Sequence, residues 1–362
     1  MAARPDVYHA RKRGKRGFWR LMLGILLVLI LVAALLFIAC QKFIVYENNG
    51  LRVEFPSMRE ASAAQADAPT PTIYPAELKY DEPDYSSLLT NAGQGLEIVH
   101  GRYLTASGIT EDRLNTISNT LSSTGVDTLV LQMKSPSGFL SWKSGVVMAD
   151  AFEVNGSEDL SEIFMALKDK GVHLVAVVSC CVDSAMSERY EALALRTADG
   201  SPYVDSNGGW MNPYNSVVRD YLSGICRELA RMGFEEIILS YLQMPNTSAE
   251  FDFSAELSTT PTPTDAVTSL GRYLRTALSG ENVKLNMFVS SDSILYDLSS
   301  RTGQDLSIMT RLCDRICVFT DSGSIPTITE NITSANSDFD LETRFIPFVT
   351  NSQIEGSWVL TS

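Results

Sequence analysis

Three aspartates stand directly after apolar runs: Asp183, Asp292 and Asp321. Two carboxylates brought to one cleft are what glycosidic-bond hydrolysis uses, one as acid and the other as base or nucleophile. The same side chains also suit a plainer role as helix N-caps or turn residues, because they accept hydrogen bonds from free backbone N–H groups. Other chemistries are poorly supplied. Beyond residue 40 the chain has only two histidines, His100 and His173, each at the start of an apolar run. That disfavours a Ser-His-Asp triad and a His-rich zinc site, and no metal or cofactor is expected. Five cysteines lie in the same region: Cys180, Cys181, Cys226, Cys313 and Cys317. Their odd number and irregular spacing fit free buried thiols better than a disulfide framework. A redox role for the adjacent pair Cys180-Cys181 is the alternative.

The elements that must position these residues follow a regular pattern. Short runs rich in Val, Ile, Leu and Phe occupy 101–106, 128–134, 173–180, 236–242, 284–291, 315–320, 344–350 and 357–361. Amphipathic helical patterns lie between them, at 111–123, 160–170, 216–232, 264–278 and 305–313. The second and third of these end on cations followed by Gly171 and Gly233, a common helix stop. Eight strands alternating with helices predict a (β/α)8 barrel of the TIM type. An open doubly wound sheet is the competitor, but no G-x-G-x-x-G follows the first strand. In a barrel the reactive face lies at the C-terminal ends of the strands. The three aspartates fall on that face, whereas His100 and His173 fall on the floor as polar caps.

The N-terminal part reads differently. The chain carries a net charge of −14, yet residues 1–20 hold seven basic side chains against Asp6 alone, so the remainder carries −20. An acidic domain is a poor nucleic-acid binder. Residues 21–40 are uncharged and apolar, long enough to cross a bilayer as a helix. The basic flank places residues 1–20 in the cytoplasm and the rest outside, as a single-pass signal anchor in the cell membrane. A cleaved signal peptide and a lipoprotein site at Cys40 are the alternatives. Residues 41–95 form a stalk, rich from residue 57 onward in Ala, Pro, Ser and acidic residues, in which 85–91 can form a short helix. Residues 96–362 form the barrel.

Several segments then carry a resemblance. G-R-Y-L-T-A at 101–106, V-D-T-L-V-L-Q-M-K-S-P-S-G at 126–138, K-G-V-H-L-V-A-V-V at 170–178, W-M-N-P-Y-N at 210–215 and G-F-E-E-I-I-L-S-Y-L-Q-M-P at 233–245 occur in order. Together with R-F-I-P-F-V-T and G-S-W-V-L-T-S near the end, they resemble the glycoside hydrolase-like domain family of exported bacterial (β/α)8 proteins. The departures concern charge. Where the family's second strand ends D-V-K-D, this chain has Gln132 and Ser135 in place of both acids and keeps Lys134. Asn212 replaces the aspartate of W-L-D-P-Y-N, Ser240 replaces the aspartate of F-D-Y-V-R-F-P, and Gln243 replaces its arginine. None of Ser, Asn or Gln titrates near neutral pH, so none serves alone as a general acid or base. Only Asp183 matches an acidic position of the family.

The resemblance therefore implies a shaped pocket without its proton-transfer groups: a catalytically degenerate domain binding cell-envelope polysaccharide or peptidoglycan. Trp142, Trp210, Tyr214 and Tyr241 are candidates to stack on sugar rings, and Gln132, Lys134, Asn212, Ser240 and Gln243 to bond hydroxyls. Trp210 and Tyr214 equally suit anchoring the long third loop to the rim. Two alternatives remain open: an active glycosidase with relocated acids at Asp183, Asp292 or Asp321, and a barrel used only as a protein-binding scaffold.

Overall fold

The computed structural model describes residues 44–47, 50–53, 92–121, 124–351 and 354–361. Ile44–Glu47 pairs antiparallel with Gly50–Val53, in a unit of residues Met1–Lys79 distinct from the unit Tyr80–Ser362. The expected cytoplasmic tail 1–20, the expected anchor 21–40 and the short helix expected at 85–91 lie outside the described residues. Among the described residues, no helix is long and apolar enough to cross a membrane.

The second unit is a closed parallel barrel. Its strands, in chain order, are β1 (His100–Leu104), β2 (Thr128–Lys134), β3 (His173–Ser179), β4 (Glu236–Ser240), β5 (Lys284–Phe288), β6 (Ile316–Phe319), β7 (Phe345–Val349) and β8 (Trp358–Leu360). Each strand bonds to the next, and β8 closes on β1 with Trp358 beside His100 and Leu360 beside Arg102. The closure excludes the open sheet. Gly101 lets it happen: a Cβ there would lie 2.8 Å from the Val359 side chain.

Strands covered on both faces must be apolar on both, which is why the runs show no alternation. One layer fills the barrel interior, including Val130, Val177, Ile238, Cys317 and Ile346. The other lies between the strands and the helices outside them. α1 (Glu111–Ser118), α2 (Val147–Ala151), α3 (Ser161–Asp169), α4 (Ser184–Arg189), α5 (Ser216–Arg231) and α6 (Pro263–Ala277) follow the first four strands. α5 turns Val218, Leu222, Ile225 and Leu229 inward, a stripe at helical spacing. α6 starts at a capping box, with Thr262 and Asp265 each satisfying the other's backbone N–H. Helices follow β5 and β6 as well, among them α7 (Ser291–Leu295), α8 (Leu306–Leu312) and α9 (Ile325–Ala335).

The barrel floor holds a buried charge cluster. Glu236 accepts two bonds from Arg315, at 2.8 and 2.9 Å, one from Asn286 at 2.6 Å and one from His173 Nε2 at 2.9 Å. The second ring nitrogen of His173 contacts Glu235. His100 stacks on Trp358 at 4.7 Å. Both histidines are thus floor residues. The chain enters the barrel across this floor, where the Glu97 carbonyl accepts from Arg315 and the Gln94 carbonyl from Lys284.

Candidate functional site

The opposite end of the barrel is a mouth whose wall is set by the last inward-facing residues of the strands. On β2 these are Gln132 and Lys134, and the register against β3 slips between them. Such a bulge re-aims the following side chain. Lys134 is 0% exposed and its Nζ lies 2.8 Å from Asp183 Oδ2, itself 1% exposed. It also donates to the Ser179 carbonyl at 3.0 Å. Asp183 Oδ1 caps α4 by accepting from Met186 N at 2.9 Å. Gly138 presses on this carboxylate from the left-handed region at φ 97°, where any Cβ would collide with Asp183 Oδ1. The one acid that matches the family pattern is therefore sealed, neutralised and used as a cap.

Asp292 and Asp321 occupy plainer positions. Asp292 is exposed in the first turn of α7. Asp321 is exposed too and accepts from Gly323 N, Ser324 N and Ser324 Oγ in its own turn. The Ser324 hydroxyl in particular holds its carboxyl below the usual range. A general acid needs the reverse displacement. Among the described residues, no hydrogen bond or ion pair joins any two of Asp183, Asp292 and Asp321.

The substituted positions gather at the second-to-fourth strand sector. Gln132 Oε1 accepts from Ala106 N at 3.1 Å, tying the β1 loop to β2. Ser240 ends β4, Tyr241 follows in the left-handed region at φ 49°, and Gln243 lies half-buried just beyond. Tyr241 meets Trp210 edge-to-face at 6.4 Å. Asn212 donates to Glu256 Oε2 at 2.9 Å, and Asn215 donates to Glu256 Oε1 at 3.3 Å. An aspartate at 212 would repel this glutamate, whereas an amide binds it. Glu256, invisible as a candidate in the sequence, has taken its place beside a position where the resembling family carries charge.

The tryptophans correct an expectation. Trp142 and Trp210 are both fully buried and present no face for a sugar. Trp142 lies under the loop after β2, its Nε1 donating to Glu228 at 3.2 Å. Tyr214 is half-buried against Phe253 and beneath the Arg219 guanidinium. The open aromatic surface comes from elsewhere: Phe319 on β6 is exposed and Tyr103 on β1 half-buried, both resting on the buried rings of Phe288 on β5 and Phe348 on β7. Burial pushes the Tyr103 phenol up to about 12, assisted by neighbouring Tyr241. Burial, then the nearby Asp205 carboxylate, raise Tyr241 likewise. Asp205 belongs to a hairpin of the third loop, Val204–Asp205 against Gly208–Gly209. The sequence signal for this surface was faint: phenylalanines at or next to the ends of three consecutive strands.

Among the described residues, the five cysteines beyond residue 40 are free and buried. Burial pushes the Cys181 thiol up to about 12 and Cys180 well above its ordinary value. That is the environment of inert thiols rather than reactive ones.

A family model described as "Putative glycosyl hydrolase domain" matches residues 101–320. Among solved structures, the chain is similar to the glycoside hydrolase domain of PgaB (BpsB) from Bordetella bronchiseptica. The identity is 12%, over 70% of this chain and 84% of that one, with a TM-score of 0.52. It also matches a hypothetical protein from Ruminiclostridium thermocellum at 22% identity, over 51% of this chain and 96% of that one (TM-score 0.46). A GH20 exo-β-N-acetylglucosaminidase from Vibrio harveyi matches at 8% identity, over 69% and 41% (TM-score 0.49). At 12% identity the likeness to the PgaB domain shows the barrel fold alone. No curated protein matches the chain.

Proposed function

This chain belongs to that glycosyl hydrolase-like family, and from this premise we propose that it is a catalytically degenerate member that binds cell-envelope glycan. The observation that carries the reading is the fate of Asp183. Hydrolysis needs an acid able to give up a proton and a base able to take one. Asp183 is buried against Lys134 at 2.8 Å and caps α4, so both of its oxygens are engaged and neither has an open face. Asp321 is held low by its own turn. The mouth keeps aromatic faces, phenols and amides, the equipment of recognition. The Lys134 ammonium, in the same pair, reads as a support of the pocket wall.

We further propose that residues 21–40 anchor the protein in the cytoplasmic membrane, with residues 1–20 inside and the barrel outside. The apolar run and its basic flank support this. Membrane fractionation followed by protease treatment of intact cells is the check, and cleavage of the barrel while residues 1–20 stay protected is the expected result.

For the central reading, the full chain is mixed with purified wall polysaccharide and peptidoglycan. Co-sedimentation without release of reducing ends is expected. Turnover in the ordinary enzymatic range, about 1–1,000 per second, would overturn it and favour an active site rebuilt around other carboxylates.

A further inference from the structure

The mouth contains an apolar surface that proton-transfer chemistry does not require. Phe288 and Phe319 lie face to face, with ring centroids 4.6 Å apart and planes 18° from parallel. Phe348 meets them at 4.7 and 4.9 Å between centroids, and Tyr103 and Phe319 meet edge-to-face with centroids 5.7 Å apart. The register explains the convergence, because Phe319 and Phe348 are direct partners across β6 and β7. Phe348 is 1% exposed, yet Phe319 leaves 45% of its surface open. One phenyl ring at the mouth thus rests on a buried twin and shows the rest of itself to solvent. A rigid, supported aromatic ring of this kind costs little conformational entropy when a flat apolar partner covers it.

The polar groups around it narrow the partner. Burial, then Tyr241, disfavour ionisation of Tyr103, burial and Asp205 do the same for Tyr241, and neutral phenols both donate to and accept from hydroxyls. The cation of the mouth wall, Lys134, is spent on Asp183 and the Ser179 carbonyl. Asp205 stands near Tyr241. An acidic sugar brought here would lose hydration against phenyl rings, find the wall's lysine already paired and meet a carboxylate at the rim.

We infer that the mouth selects saccharides lacking acidic groups, with Phe319 stacking on the C–H face of one pyranose ring and the Tyr103 and Tyr241 hydroxyls bonding its hydroxyls. The inference rests on the glycan-binding reading and names the class of glycan. The test titrates the full chain by calorimetry with cellotetraose and chitotetraose, both neutral, and with tetragalacturonate. At least one neutral tetramer is expected to bind at least about tenfold more tightly than tetragalacturonate, with little change on adding salt. Phe319→Ala should weaken that binding about tenfold, and Phe319→Trp should preserve it. Phe319→Trp should keep a near wild-type thermal midpoint, whereas Phe319→Ala gives up the ring contacts with Phe288 and Phe348 and should melt somewhat lower while still folding, so its affinity is read well below its midpoint. Equal or tighter binding of tetragalacturonate, or wild-type affinity in Phe319→Ala, overturns the inference while leaving glycan binding intact. Absence of binding to all three tetramers and to the wall polymers removes both.

Discussion

Lys134 and Asp183 show how one pair can fix the character of a site. Two opposite charges taken out of water recover their lost hydration only from each other and from fixed dipoles. Here the ammonium has Asp183 and the Ser179 carbonyl, and the carboxylate has Lys134 and the Met186 N–H. Lys134→Met should leave a buried, unpaired carboxylate and cost about 3–5 kcal/mol. Adding Asp183→Asn should recover a large part of that loss. Urea midpoints of the two single variants and the double variant measure the coupling, and strictly additive losses would show that the pair does not act as a unit. Tyr241 poses a separate question of backbone strain. At φ 49° a side chain with Cβ is disfavoured by roughly 1 kcal/mol, whereas glycine is not. Tyr241→Gly should therefore unfold at a higher urea concentration than Tyr241→Ala, although both lose the contact with Trp210. The reverse order would mean that the strain is relieved by local adjustment.

At the level of elements, the strands were legible because a doubly covered strand must be an unbroken apolar run. All eight runs became barrel strands, with ends displaced by a few residues where the chain turns out of the sheet. The first helix stops at Ser118, short of the predicted 123, although Leu121 beyond it still reaches the core. There the Thr120 and Thr124 hydroxyls donate back to the Ile117 and Leu121 carbonyls, in a turn rather than a further helical turn. The mouth was far less legible. Phe288, Phe319 and Phe348 each read as ordinary core residues of separate strands, and only barrel closure makes them one surface. Trp142 and Trp210 misled for the complementary reason: a large aromatic in a loop suits stacking and burial equally. Trp142 belongs to a small clamp in which the Glu228 carboxylate on α5 also accepts from Ser144 Oγ and, at 2.5 Å, from Gly145 N. The clamp ties the loop after β2 to the outer helix layer. Glu228→Ala should strand these donors and cost about 2 kcal/mol. It should also red-shift tryptophan emission as Trp142 meets water. Unchanged emission with full loss of stability would place the damage elsewhere on α5.

For the molecule as a whole, the floor cluster couples folding to pH with a sign that its geometry fixes. Both ring nitrogens of His173 face carboxylates, Nδ1 toward Glu235 and Nε2 toward Glu236. A neutral imidazole donates from one nitrogen only, so the double contact calls for the charged ring. Burial opposes that charge, but the two carboxylates outweigh it and hold His173 above its ordinary value of 6.5. Burial likewise opposes the Glu236 charge, yet His173 and Arg315 pull it down to about 2 from an ordinary 4.5. The stabilisation from His173 is therefore complete below about pH 6.5 and fades as pH rises through its folded value. That from Glu236 is complete above about pH 4.5 and disappears as pH falls through about 2. Between these limits both contributions are present, so this acidic protein should be most stable in mildly acidic solution. The net charge of −14 reinforces the alkaline decline through self-repulsion, which is smooth and weakened by salt. His173→Gln separates the two causes, because it removes the titrating group while changing the large negative charge of the chain by at most one unit. Urea midpoints from pH 5 to 9 at high salt should fall for the wild type. The glutamine variant should start lower at pH 5 and follow a flatter course. An equally steep decline in the variant would assign the effect to the acidic surface rather than to the floor of the barrel.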